Sequence, residues 1–164
     1  MIKFIVLIHY GAGETGKRLE QNLRGQFAEI EIDFYDSAGS FYKKLCKPNH
    51  GWEQEIYIVL ADSRERLEKL MGLKKLLDGK RLVLILPGNE KKLLSMGHRL
   101  LPRYVSTETD NFEELSKVLE KMIEVLKAAD RSSSSDSESV LHGEGRFLKR
   151  HGRKAETENE NLPA

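Results

Sequence analysis

The residues best equipped for chemistry stand together near the start of the chain, in Gly11-Ala12-Gly13-Glu14-Thr15-Gly16-Lys17-Arg18. Three glycines leave backbone N–H groups uncovered, and a lysine follows the third. Such a stretch suits an anion, with amides supplying hydrogen bonds and the ammonium supplying charge. Two spacings coincide in it. As G-x-G-x-x-G it has the spacing of a dinucleotide fingerprint, and as G-x-x-x-x-G-K that of a P-loop whose final Ser/Thr is replaced by Arg18. Gly11, Gly13, Gly16 and Lys17 are therefore the candidate anion- or nucleotide-binding residues. The plain alternative is a turn into a helix, with Gly13 or Gly16 taking positive φ.

Neighbouring residues weigh on each reading. Asp36 lies about twenty residues past Gly16, where a dinucleotide site places its ribose-binding acid. Against that, His9 and Tyr10 stand where small apolar residues lead into the first glycine, and no second nucleotide-binding half follows. The stretch also resembles the phosphate loop of heterotrimeric G-protein α subunits, with Asp62 in the place of a Walker B acid. No Asn-Lys-x-Asp guanine motif accompanies it, and Arg18 cannot coordinate magnesium. Metal-free anion contact is the most expected of this loop, and no NTP hydrolysis.

Other reactive side chains are scattered. His9, His50 and His98 have no metal-ligand spacing, and no metal or cofactor is expected. Cys46 is alone, so no internal disulfide forms, and only Lys43, Lys44 and Lys47 lie near it to activate the thiol. Arg146 to Lys154 is basic, with Phe147-Leu148 as a short docking motif inside it.

These residues are positioned by a regular alternation of elements. Phe4 to Ile8, Ile56 to Ala61 and Leu82 to Leu86 are continuous apolar runs, as in strands covered on both faces. Glu29 to Tyr35 alternates, with Ile30, Ile32 and Phe34 on one face, which suits a sheet edge. Arg103 to Ser106 is a short last strand. Between them run helices with Leu19, Leu23 and Phe27; a short one over Ser40 to Lys47; one from Asp62-Ser63-Arg64-Glu65 to Asp78-Gly79; one capped by Asn89; and one capped by Asp110. Five βα units with the apolar strands in the centre give order 2-1-3-4-5. That is a flavodoxin-like α/β fold, a doubly wound parallel sheet in three layers. Residues 1–129 form this domain. The Ser-rich, charged stretch 130–164 has nothing to bury and is expected to be disordered.

Composition narrows the function classes. A net charge of +1 over 164 residues supplies no whole-protein attraction for nucleic acid or anionic membrane. No apolar run reaches the ~20 residues of a membrane span. With the lone cysteine, this leads to the expectation of a soluble cytoplasmic protein.

From Met1 to about Lys127 the unit lengths and strand endings resemble the receiver domain of two-component response regulators. The resemblance implies a phosphoacceptor aspartate at the end of strand three, and Asp62 occupies that place. It also implies an acidic pair after strand one, a Ser/Thr after strand four and a lysine after strand five. The matching positions hold Ile8 and His9, Pro87, and Ser106 or Thr107. What results is a degenerate receiver, or pseudo-receiver. Such a module regulates through protein partners, or through a homodimer, using the last two helices and strand five (roughly Asn89 to Lys127). The alternative from another class is a nucleotide-binding protein or small NTPase built on the Gly11–Lys17 loop. Asp62 keeps a second reading as a helix N-cap.

Overall fold

A computed structural model of the chain describes residues 1–139 apart from residues 50 and 52. Trp52, the histidine at 50 and the basic stretch Arg146 to Lys154 lie outside the described residues. The chain divides at Ala128. The first unit, Met1–Ala128, is an α/β domain.

Its five strands are β1 (Ile2–Leu7), β2 (Glu31–Tyr35), β3 (Gln54–Leu60), β4 (Arg81–Leu86) and β5 (Tyr104–Thr107). All neighbours pair in parallel, in the order β2-β1-β3-β4-β5, the flavodoxin-like arrangement. The apolar runs lie in the centre because a strand covered on both faces has no wet side on which to place polar groups. Phe4, Ile5, Val6 and Leu7, like Ile58, Val59 and Leu60, are fully buried.

Successive side chains go to opposite faces, which makes two cores. On one, Phe4, Val6, Ile58 and Ile85 meet α1 (Gly13–Gln26) and α6 (Phe112–Ser139) through Leu19, Leu23, Leu115 and Leu119. On the other, Ile5, Leu7, Val59 and Leu84 meet α2 (Ala38–Cys46), α3 (Arg64–Met71), α4 (Lys74–Leu77) and α5 (Lys91–His98). Edge strand β2 sends Ile32 and Phe34 into the first core. Its alternate residues Glu31 and Asp33 hold Lys3 of β1 at 2.7 and 2.8 Å.

The helix expected to run unbroken to Asp78 is two helices. Gly72 and Leu73 donate their N–H groups to Lys69 and Leu70, three residues back, so the chain tightens and re-aims α4. Two expected caps also move. Glu90, not Asn89, stands at the N-cap of α5 and gives no side-chain hydrogen bond. At α6 it is Asn111 that accepts from the N–H of Glu113, at 3.3 Å.

α6 continues through the serine run to Ser139, past the point where composition alone implies disorder. The hydroxyls of Ser132 and Ser133 bond back to the carbonyls of Ala129 and Asp130 along the helix. Residues 140–164 lie outside the described residues.

Candidate functional site

In an open parallel sheet the loops at the carboxyl ends of the strands carry the ligands. Here that end holds the glycine stretch after β1, Asp36 after β2, Asp62 after β3, Pro87 after β4 and Thr107 at the end of β5. Gly11, Gly13, Gly16 and Lys17 thus share one end of the sheet with Asp62.

The glycines do three separate jobs. Gly13 has φ of +61°, and no atom lies within 4 Å of where its Cβ would stand, so its backbone faces open space. Gly16 is the reverse case: a Cβ there would come 2.7 Å from Ile8 Cγ2 and 2.9 Å from Ala12 Cβ. Only a missing side chain lets α1 approach the end of β1 so closely. A Cβ on Gly11 would meet the Arg66 guanidinium at 3.2 Å. α1 begins at Gly13, so Gly16 and Lys17 already lie on the helix. A P-loop needs its whole glycine stretch to wrap the phosphate before the helix starts. The geometry here is a short turn running directly into a helix, as in the G-x-G-x-x-G arrangement. Ala12 gives the helix no side-chain cap, which leaves its leading N–H groups without a side-chain acceptor.

Between this turn and the end of β2 lies a cleft of about 490 Å³. His9, Tyr10, Gly13, Gly16, Lys17, Tyr35, Asp36 and Ser40 are among its lining residues. Two backbone hydrogen bonds set the loops against each other, from Ile8 N–H to Tyr35 O (2.9 Å) and from Tyr10 N–H to Asp36 O (3.2 Å). Lys17 and Asp36 are both exposed, and the Tyr10 ring is 96% exposed at the rim. Burial pushes the Tyr35 phenol up, which keeps it neutral through the physiological range.

The end of β3 is organised differently. Asp62 is not the cap of α3: Ser63 holds that position and accepts from the N–H of Arg66 at 3.3 Å. Asp62 instead faces Arg66, with Oδ1 3.1 Å from Nε, and only 14% of its side chain is exposed. Its Oδ1 and Arg66 Nη1 are buried without a well-aligned hydrogen bond. Burial pushes the Asp62 carboxyl above the usual range, and its own backbone N–H pulls the other way. At the end of β5, Asp110 ties down the turn by accepting from Thr107 N–H (2.7 Å) and Ser106 Oγ (3.1 Å). Those bonds, the Thr107 N–H first, hold the Asp110 carboxyl below its usual range.

Three features escaped the sequence reading. Arg66 was legible as the i+4 partner of Asp62 once a helix was placed there. Asp110 closes a turn rather than capping a helix. The third is Glu55, buried on β3, which accepts from Lys44 Nζ and the Tyr57 hydroxyl; it stands one residue before the apolar run that marks the strand in the sequence. Cys46 is exposed at the end of α2. Among the described residues no three His, Cys, Asp or Glu side chains gather to hold a metal, and no helix is long and apolar enough to cross a membrane.

The chain matches no family model, no curated protein and no solved structure.

Proposed function

We propose that the chain is a non-catalytic regulatory module of receiver type, acting through protein contacts. The observation that carries this reading is the Asp62–Arg66 pair at the end of β3. Phosphoryl transfer to an aspartate needs an open carboxylate beside a divalent ion that offsets the crowded negative charge. Here a guanidinium of the same chain already sits on that carboxylate. The neighbouring positions hold Ile8 and His9, which offer no oxygen ligands, and Pro87 has no hydroxyl. With its reactive end neutralised internally, the domain acts by being bound rather than by being modified.

The contact face is that of α5, β5 and α6. Next to that face, Arg64 of α3 and Lys91, Lys92 and Arg99 on and just after α5 line a separate groove of about 350 Å³ between α3 and α5, with Ser95 and Met96 between them. Such a groove fits an acidic partner, and its contribution falls with ionic strength. A two-fold dimer centred on it would set like charges together, so an acidic partner suits the groove better than a second copy.

Incubation with acetyl phosphate and magnesium, read by intact mass, tests the proposal. The expected result is an unchanged mass. A phosphate adduct that disappears in Asp62→Ala would overturn it.

A further inference from the structure

The regulatory reading leaves the cleft between β1 and β2 without a use, and its construction is specific. Its volume of about 490 Å³ lies inside the range of about 300–1,000 Å³ typical of small-molecule sites. Four chain segments supply its polar groups: the β1–α1 turn, the first turns of α1, the end of β2, and Ser40 at the start of α2. Cationic Lys17 lies on the helix and anionic Asp36 across the cleft on the other loop, while the acidic Glu20, one turn beyond Lys17, is paired with Arg24 at 2.9 Å.

We propose that this cleft binds a ribonucleoside 5′-monophosphate, with the phosphate at Gly13 and Lys17, the ribose hydroxyls on Asp36 and the base against Tyr10. Each part follows from chemistry. A phosphate needs donors and positive charge. The bare backbone at Gly13, the uncapped start of α1 and the Lys17 ammonium provide both. A carboxylate repels phosphate but accepts from a pair of hydroxyls, and Asp36 stands at the end of the strand beside β1, where a ribose falls when the phosphate lies on the first turn. An aromatic ring 96% exposed beside a polar cleft has lost nearly all of its packing, and a stacked base would restore it.

The same geometry sets the upper size. A dinucleotide would continue over Gly11 toward β3. There Arg66, held by Asp62, closes on the glycine, at 3.2 Å from where a Cβ would stand. That guanidinium stands in the path of a second half, so the proposal is limited to one nucleotide. Magnesium has no role, since Arg18 stands where a P-loop carries its metal-binding hydroxyl and is exposed. This inference does not depend on the regulatory reading, because a bound nucleotide is compatible with either fate of Asp62.

Calorimetry on the full chain provides the test, with AMP, GMP, the dideoxyribose analogue of AMP, NAD and inorganic phosphate as probes, each with and without magnesium. The expected result is saturable binding of AMP or GMP, one molecule per chain, unchanged by magnesium and weakened in Lys17→Ala. Asp36→Ala should weaken AMP by about 10- to 100-fold, the loss of hydrogen bonds to a charged acceptor, and leave the dideoxy analogue unaffected. Tyr10→Ala should weaken AMP and leave inorganic phosphate unaffected. Absence of saturable AMP and GMP binding up to about 10 mM would overturn the proposal. So would inorganic phosphate binding as tightly as AMP, or indifference to Asp36→Ala. NAD binding tighter than AMP would overturn the one-nucleotide limit.

Discussion

Gly16 and Gly25 lie on the same helix, and replacing each with alanine separates close packing from helix propensity. Alanine is better than glycine in a helix by about 1 kcal/mol. At Gly25 nothing lies within 4 Å of the new methyl, so Gly25→Ala should stabilise by about 0.5–1 kcal/mol, the lower value because the position is near the helix end. At Gly16 the methyl meets Ile8 Cγ2 at 2.7 Å and Ala12 Cβ at 2.9 Å. Neither atom is the far end of a flexible chain. Ala12 Cβ moves only with the backbone, and Ile8 is stiff at χ1. α1 must lift from the sheet, an overpacking cost of about 2–3 kcal/mol that exceeds the propensity gain. The net expectation is destabilisation of about 1–2 kcal/mol, and hence a separation of roughly 1.5–3 kcal/mol between the variants. Urea unfolding followed by circular dichroism measures both, provided the slopes match. A Gly16→Ala variant at least as stable as the wild type would refute the close approach and, with it, the placement of α1 over the cleft.

Ser63→Ala should cost about 0.5–2 kcal/mol by removing the cap of α3, measured by the same unfolding curves. Glu55→Ala should cost about 3–5 kcal/mol because Lys44 and Tyr57 lose a buried acceptor; the pair Lys44→Met with Glu55→Leu should recover most of it. The Asp110 carboxyl is held low by Thr107, so its contribution is complete above the unfolded value near about 4 and is lost as pH falls through the lower folded value. Asp110→Asn should therefore flatten the acid side of the stability–pH curve, which melting in a series of buffers would show. Truncation after Ala129 should leave the melting temperature unchanged, since Leu126 is the last buried side chain among the described residues.

What the sequence made legible follows from the range of the forces involved. Three apolar runs and one alternating strand were enough to order the sheet, because burial on one face or two is written directly in the side-chain period. Caps were less legible. Asp62 and Ser63 are both good N-cap residues, and a helix start displaced by one residue hands the role to Ser63 and frees Asp62 for Arg66. The glycine stretch carried two motifs, and the choice between them rests on where α1 begins. That depends on Gly16 packing against Ile8, a tertiary contact with no signature in the spacing. The serine run at the end of α6 has weak propensity and no apolar stripe, so composition could not announce its helix.

The proposed inertness of the β3 end can be tested residue by residue. Amide NMR spectra of the full chain would be recorded with magnesium alone and then with magnesium and beryllofluoride, a mimic of an aspartyl phosphate. If Arg66 occupies the carboxylate and no acids hold the metal, the signals of Asp62, Gly88 and Thr107 stay in place through both additions. Saturable, magnesium-dependent shifts at those three residues would contradict the account and make this a working phosphoacceptor.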